Sequence, residues 1–161
     1  MTAVYLGLGS NMGDRQGNLK RALDLLSQRL RTEKVSPTYD TEPVGNPDQP
    51  RFLNLVCQVA TALEPIALLT LIKGIESKLG RLPNTSNLPR PIDIDILFYG
   101  NLVMETEKLV IPHPRLTERS FVLIPLAEIA PDLVHPVNGK TVAELLKAQT
   151  RLQGVFKWEN R

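Results

Sequence analysis

The sequence predicts one domain of the α+β class over residues 1–161. Two stretches, Phe52–Thr61 and residues 91–99, alternate apolar and polar residues with period two, which indicates strands with one buried face. Two other stretches, residues 18–30 and 65–79, repeat apolar residues at helical spacing. A chain of 161 residues is long enough to bury a core within a single domain.

The chain begins with a predicted strand at residues 4–8, which is short and apolar. A turn rich in small and polar residues follows at residues 9–14. Residues 18–30 then predict a helix, because their leucines and alanine recur on one face.

The middle of the chain predicts two strands separated by a loop. Residues 33–39 predict a second strand interrupted near Pro37, and segment 42–51, which contains three prolines, predicts a loop. Phe52–Thr61 predicts a third strand, with one face lined by Leu53, Leu55, Cys57 and Val59.

A second helix begins at Pro65, a residue favoured at the first helical position, and ends at Gly80. Residues 91–99 predict the fourth strand. The apolar stripe of the helix is predicted to consist of Ile66, Leu69, Ile72, Ile75 and Leu79.

The remainder predicts an extended segment at 102–111, a helix around 118–130 and a last helix from about 141 to 149. Thr141 and Glu144 form a capping box at the start of the last helix. The preceding elements follow the order β-α-β-β-α-β. The predicted fold is therefore a ferredoxin-like sandwich with C-terminal strand and helix additions.

Composition argues against two classes of partner. The net charge is +2 and no block of like charges occurs, whereas a nucleic-acid binder is expected to be strongly basic. No signal peptide is evident, and no apolar stretch approaches the roughly 20 residues that span a bilayer. We therefore expect a cytoplasmic protein, with a monomer favoured, that binds neither nucleic acid nor membrane.

The most informative motif is the pair Asp93 and Asp95, which the alternation with Ile92, Ile94 and Ile96 places on one face of the fourth strand. Two carboxylates roughly 6–7 Å apart repel each other, and a divalent cation relieves this repulsion. Mg²⁺ typically takes one or two carboxylates together with substrate phosphates. The alternative is that the pair is only the solvated face of an edge strand.

Basic residues flank this pair in two places. Arg81 and Arg90 bound a loop, and guanidinium groups suit polyphosphate, although both could be solvated surface residues. His113, Arg115 and Arg119 gather at the start of a predicted helix, where backbone N–H groups favour anions. His113 could instead be a simple turn residue between two prolines.

Two further features indicate a binding pocket. Phe52 and Asn54 share a face of the third strand and suit a flat heterocycle with polar edges, although Phe52 could be ordinary core. Glu76 lies on the apolar side of its helix, so its carboxylate needs a polar partner or an arginine. The spacing Gly7-x-Gly9-x-x-x-Gly13 is one residue too long for a dinucleotide-binding loop, so a glycine-rich turn is favoured.

Taken together, these motifs resemble the 6-hydroxymethyl-7,8-dihydropterin pyrophosphokinase family of folate biosynthesis. The resemblance covers nearly the whole chain. It is carried by residues 5–11, 41–45 with 49–54, 75–76 with 80–81, 89–97, 112–114, 119–123 and 125–131. The Asp-x-Asp block followed by Pro-His-Pro and Arg-x-Phe is specific, whereas each piece alone is weak.

The resemblance implies pyrophosphoryl transfer from ATP, the co-substrate, to the hydroxymethyl group of a reduced pterin. It implies that Asp93 and Asp95 hold two Mg²⁺ ions and act in catalysis with Arg81 and Arg90. The nucleotide-binding candidates are Glu76, Arg81, Arg90, His113, Arg115 and Arg119. The pterin-binding candidates are Thr41, Pro43, Val44, Phe52, Asn54 and Phe121, with the two phenylalanines sandwiching the ring.

The loop between Arg81 and Arg90 departs from the family pattern. Leu88 stands where the family usually has glycine, and residues 82–89 hold no arginine, lysine or aromatic side chain. The rival hypothesis is a non-catalytic nucleotide- or metal-binding module on the same scaffold, which would explain the aspartates but not the aromatic pair.

Overall fold

The computed structural model describes residues 1–43, 47–85, 88–149 and 154–158. The described elements confirm the α+β class. The strands are β1 Thr2–Ser10, β2 Arg31–Val35, β3 Tyr39–Thr41, β4 Phe52–Thr61, β5 Asp93–Tyr99, β6 Met104–Glu105, β7 Val110–Ile111 and β8 Val155–Lys157. The helices are α1 Arg15–Ser27, α2 Pro65–Lys78, α3 Ser120–Ile129 and α4 Val142–Lys147, with a 3₁₀ turn at Leu116–Glu118.

The main sheet is antiparallel and runs in the order β5-β1-β4-β3-β8, with β2 also paired to β4. Strands β1 and β2 both run antiparallel to β4, which lies between them. Strands β4 and β5 likewise both run antiparallel to β1. Helices α1 and α2 therefore each connect two parallel strands that are separated by a third.

Apolar side chains pack on both faces of the sheet. On one face, Leu6 and Leu55 pack with leucines and isoleucines of α1 and α2. On the other face, Val56 and Phe98 pack with residues of α3 and α4, including Leu123. The sheet is thus a middle layer between two pairs of helices, and alternate residues of β1 and β4 contribute to different cores.

The structure shifts the predicted start of α1 from residue 18 to Arg15. Asp14 caps the helix by accepting a hydrogen bond from Gly17 N at 3.1 Å. The sequence predicts a start too far along the chain because the first turn is polar, and the apolar periodicity begins only at Leu19. The predicted end at residue 30 is also wrong, since the helix ends at Ser27.

The predicted apolar stripe of α2 is partly wrong. Ile72 and Ile75 are buried as predicted, but the first turn buries Leu68 and leaves Ile66 40% exposed. The helix has apolar residues at nearly every position of its first half, so spacing alone does not select the buried face.

Other predicted elements differ mainly in their bounds. The strand predicted at residues 33–39 is two short strands, β2 and β3, separated around Pro37, and both pair with β4. Gly7 and Gly9 lie inside β1, which continues to Ser10. The capping box of Thr141 and Glu144 is confirmed. Strand β8 was not predicted.

The extended segment predicted at 102–111 is a hairpin of β6 and β7. The helix predicted around 118–130 is α3, preceded by the 3₁₀ turn. Over the described ranges, no helix combines the length and apolarity that crossing a membrane requires.

Candidate active site

A cleft on the α3 side of the sheet brings together most of the predicted site residues. Adjacent strands β5, β1 and β4 contribute to its lining, and its cavity volume is about 130 Å³. The predicted residues that line it are Thr41, Phe52, Asn54, Arg90, Asp93, Asp95, His113, Arg115, Arg119 and Phe121.

Two glycines of β1 keep the centre of the cleft open. Gly7 is paired with Asp95 across the sheet, and Gly9 is paired with Asp93 on one side and Asn54 on the other. A Cβ atom on Gly9 would lie 2.5 Å from Asn54 Oδ1, so any side chain there would displace the Asn54 amide. Glycine in this strand therefore allows the aspartates and Asn54 to share one cavity.

The two aspartates lie side by side on the cleft face of β5, as the alternation predicts. Their side chains line the cleft, while the intervening Ile94 is buried in the opposite core. Burial and the neighbouring charge of Asp93 raise the pKa of Asp95 to about 7, and the positive charge of Arg119 opposes this rise. The pair therefore carries an unfavourable charge repulsion that a bound cation would relieve.

The donor set fits a hard divalent cation that shares its ligands with a substrate. Across the described ranges, no group of three or more His, Cys, Asp or Glu side chains forms a complete protein cage. Two carboxylates beside open cleft space suit Mg²⁺, which commonly combines one or two carboxylates with phosphate oxygens and water. Asp93 and Asp95 are the residues that would hold it.

Arg90 lies between the aspartates and the aromatic half of the cleft. Its Nη2 is 3.4 Å from Asp93 Oδ2, and its guanidinium lies 4.8 Å from the centre of the Phe52 ring. The Nε atom of Arg90 is buried and has no hydrogen-bond partner among the described residues. A buried donor without a partner suits an acceptor such as a phosphate oxygen.

The backbone of Arg90 is fixed by Asn11, a residue that sequence reasoning did not assign to the site. Asn11 Oδ1 accepts a hydrogen bond from Arg90 N at 2.9 Å, and Asn11 N donates one to Arg90 O at 3.2 Å. Its Nδ2 donates to Gln49 Oε1 and to Pro50 O, at 2.9 and 3.1 Å. Asn11 thus connects the segment before β4 to the segment before β5.

Arg81 and Glu76 lie beside the cleft and do not line it. Arg81 Nη1 is 2.7 Å from Asp93 Oδ1 and 2.9 Å from Glu76 Oε2. Glu76 is only 3% exposed, and its Oε2 also accepts a hydrogen bond from Ile94 N at 2.8 Å. Burial acts to lower the pKa of Arg81, but the charges of Asp93 and Glu76 outweigh it and leave the pKa raised.

His113 faces the same cleft from the segment after β7. Its backbone N donates to Leu97 O at 3.0 Å, which attaches this segment to the outer edge of β5. Burial and the charge of Arg119 lower the pKa of His113 to about 4, although Asp93 opposes this. The ring is therefore neutral at pH 7. Because Nδ1 accepts a hydrogen bond from Arg115 N at 3.2 Å, the proton lies on Nε2 and can be donated.

The aromatic half of the cleft is formed by Phe52 on β4 and Phe121 on α3. A guanidinium lies near each ring, since Arg119 is 5.5 Å from the Phe121 ring centre. In the same cleft, Asn54 Nδ2 donates to Thr41 Oγ1 at 2.6 Å, which fixes the orientation of the amide. Two rings and an oriented amide suit a flat heterocycle with donors and acceptors on its edge.

Some residues fall outside these assignments. Pro43 is described but does not line the cleft, and Val44 lies outside the described residues. Glu42, whose backbone the resemblance assigns to the pterin pocket, lines the cleft, whereas sequence reasoning missed Leu97 and assigned no site role to Gly7 or Gly9. Glycines at alternate positions of one strand indicate that neighbouring groups approach the backbone closely, and this pattern could have identified Gly7 and Gly9 as site residues.

Comparison with known sequences gives a consistent result. A model of the family described as 7,8-dihydro-6-hydroxymethylpterin-pyrophosphokinase (HPPK) matches residues 5–131. The match includes every predicted site residue and ends shortly after α3.

Two relatives differ in how much of their own length the chain covers. It is 42% identical over 160 residues to the 2-amino-4-hydroxy-6-hydroxymethyldihydropteridine pyrophosphokinase of Bacillus subtilis, covering 98% of this chain and 91% of the relative. It is 46% identical over 142 residues to the folic acid synthesis protein fol1 of Pneumocystis carinii, covering 88% of this chain and 19% of the relative. The chain therefore spans about a fifth of the fungal protein, so that protein has much additional sequence.

The fold resembles the structure of an HPPK-DHPS protein from Plasmodium falciparum, with a TM-score of 0.76 and 19% sequence identity. The similarity covers 91% of this chain and 45% of that one. At this level of identity the similarity supports the fold and not the chemistry.

Proposed function

The chain belongs to the 7,8-dihydro-6-hydroxymethylpterin-pyrophosphokinase family, and from this premise we propose that it transfers the pyrophosphoryl group of ATP to 6-hydroxymethyl-7,8-dihydropterin in folate biosynthesis. The products are AMP and the pterin diphosphate. The observation that carries the proposal is that a carboxylate pair, an arginine and an aromatic pair with an oriented amide line one cleft.

The aromatic half binds the pterin in this proposal. Phe52 and Phe121 stack on the pterin ring, and the Asn54 amide forms hydrogen bonds with its polar edge. Buried Thr41 accepts a hydrogen bond from Asn54 Nδ2 and holds the amide in place. In the structure the Arg90 guanidinium lies over the Phe52 ring. Binding of the pterin therefore requires this guanidinium to move or to stack on the pterin ring.

The basic half binds the triphosphate of ATP. Arg90, Arg119 and neutral His113 line the cleft next to the aspartates, and each can donate hydrogen bonds to phosphate oxygens. Phosphoryl chemistry depends mainly on positioning and charge stabilisation, and these donors supply both. Exclusion of water by the bound substrates protects ATP from hydrolysis.

We further propose that Asp93 and Asp95 bind two Mg²⁺ ions. When bound, the ions neutralise phosphate charge and orient the attacking hydroxyl group. The raised pKa of Asp95 and the open side of the carboxylate pair support this assignment.

The environment of Glu76 supports a role different from the nucleotide binding expected from the sequence. The Glu76 carboxylate is buried and contacts the Ile94 amide, Arg81 and Lys73, whose Nζ is 3.2 Å from Oε1. We propose that Glu76 positions Arg81 and the start of β5, and that it does not bind ATP.

The interleaved β1-α1-β2 and β4-α2-β5 units also support our proposal that the fold is ferredoxin-like, in which a β-α-β unit is split by another strand. A monomer that binds neither nucleic acid nor membrane and resides in the cytoplasm stays a prediction.

The direct test of the proposed function is formation of AMP from ATP. With Mg²⁺ and 6-hydroxymethyl-7,8-dihydropterin present, we expect stoichiometric AMP and pterin diphosphate, measured by chromatography. Omission of the pterin should abolish AMP formation. Binding of both ligands without any AMP would favour the non-catalytic module instead.

The first substitution, Asn54→Ala, should weaken pterin binding much more than ATP binding. Loss of the amide leaves pterin donors and acceptors unpaired, at about 1–3 kcal/mol, which is roughly 5- to 150-fold in dissociation constant. Calorimetry with each ligand measures the difference. Gln58→Ala is a matched control, since Gln58 is an amide on the same face of β4 that does not line the cleft. Equal losses for the two ligands would place Asn54 outside the pterin pocket.

A further inference from the structure

One backbone carbonyl near the C-terminal end of the described chain holds both ends of the segment between β3 and β4. Gly154 O accepts a hydrogen bond from Glu42 N at 2.9 Å and another from Arg51 Nη2, also at 2.9 Å. Gly154 precedes β8, which lies outside the residues that the family model matches.

The two donors are adjacent to residues of the aromatic half of the cleft. Glu42 lines the cleft and follows Thr41, and Arg51 immediately precedes Phe52. A shift of either donor therefore moves a neighbouring residue of the pocket.

Arg51 also connects β8 to β3. Its Nε donates to Asp40 Oδ1 at 2.6 Å, and its guanidinium lies 5.7 Å from the centre of the Phe156 ring. Strand β8 pairs directly with β3, with Val155 opposite Thr41. The C-terminal strand thus pairs with the pocket residue Thr41 through its backbone and contacts Arg51, which precedes the pocket residue Phe52, through a side chain.

Gly154 is a position that favours glycine. Its φ is +79°, in the left-handed region that other residues rarely adopt. Gly154 is buried, and a Cβ atom there would meet the Cγ and Cδ atoms of the Glu42 side chain. A side chain would therefore strain the backbone next to the shared carbonyl and displace the exposed Glu42 side chain.

We propose that the segment from Gly154 through β8 holds the pterin-binding pocket in place from outside the cleft, and that Gly154 is a positioning residue for the Thr41 and Phe52 side of the pocket. This inference rests on the proposed function, since it names the pterin as the ligand. The C-terminal strand acts through Glu42 and Arg51 and does not touch the ring.

The test compares Gly154→Ala with Gly139→Ala. Gly139 also has a left-handed backbone, with φ +74°, but no atom lies within 4 Å of a Cβ atom placed there. Both variants thus carry similar backbone strain, and only Gly154→Ala places it at the residue whose carbonyl binds Glu42 and Arg51. Calorimetry of 6-hydroxymethylpterin, in the presence of a non-hydrolysable ATP analogue, should give roughly tenfold weaker binding for Gly154→Ala and no change for Gly139→Ala. Affinity for the ATP analogue alone should stay within about twofold in both variants.

A second readout does not depend on the ligand. Amide hydrogen exchange at Glu42 should be faster in Gly154→Ala and unchanged in Gly139→Ala, because only the first variant strains the residue whose carbonyl accepts the hydrogen bond from Glu42 N. If Gly154→Ala fails to fold, Arg51→Gln removes the guanidinium contacts and should weaken pterin binding in the same direction.

The outcomes separate this inference from the proposed function. Wild-type protein that does not bind the pterin would overturn the proposed function and this inference with it. Wild-type binding, together with equal pterin affinities for the two alanine variants, would overturn this inference alone. Unchanged exchange at Glu42 in Gly154→Ala would overturn the positioning role directly.

Discussion

Asp93→Ala and Asp95→Asn are each expected to lower the rate of AMP formation by roughly two or more orders of magnitude. Each removes one carboxylate from the pair that faces the cleft, so a bound divalent cation would lose one of its protein ligands. Steady-state kinetics at saturating Mg²⁺ measures the loss. Asp24→Asn, on the exposed face of α1, is the control and should keep the full rate.

The same variants should differ in stability. Asp95 carries the raised pKa and lies beside the charge of Asp93, so Asp95→Asn removes a repulsion and should leave Tm unchanged or higher. Asp93 instead makes ion pairs with Arg81 and Arg90, so Asp93→Ala should lower Tm. Near-normal turnover in either variant would refute the metal assignment, whatever the stability.

Arg81→Ala is expected to have the second largest effect, lowering kcat roughly a hundredfold while KM for both substrates changes little. Loss of one preorganised hydrogen-bond donor to a transition state costs about 2.7–4 kcal/mol. In the structure Arg81 contacts Asp93 and Glu76, so it reaches the transferred group only after exchanging these partners. The contribution should therefore be made during the reaction, not in ground-state binding.

Two further variants keep this prediction testable. Arg81→Ala leaves the buried Glu76 carboxylate without its guanidinium partner, which destabilises the protein. Arg81→Lys retains a cation there and should keep the fold with an intermediate rate. Lys73→Ala is the control, because Lys73 contacts the same carboxylate from the surface and does not reach Asp93. A change confined to KM would assign Arg81 to substrate binding only.

The sequence predicted the parts of the site that depend on strand alternation. The period of two places Asp93 with Asp95, and Phe52 with Asn54, and in each case the structure brings the pair to one cleft. Strand alternation is a local property of the backbone, so it can be read without knowing the neighbouring elements.

The sequence could not predict features that depend on packing between distant elements. The buried carboxylate of Glu76 holds the Arg81 guanidinium on one side of β5. The spacing of residues along the chain does not reveal this contact. Strand β8 has only three residues and little burial, so no periodic pattern marks it. Asn11 acts through contacts to residues about 40 and 80 positions away, such as Pro50 and Arg90.

The cation–π contact at the end of the described chain makes the protein's own fluorescence informative. Trp158 is the sequence's sole tryptophan, and the Arg15 guanidinium lies 5.5 Å from its ring centre. Its backbone N donates to Thr38 O at 2.8 Å, while Arg15 Nη1 donates to Arg51 O at 3.2 Å. Release of β8 would expose the indole to water and shift its emission to longer wavelength. A spectrometer could then follow the attachment of this strand in unlabelled protein, in real time, while substrates are added.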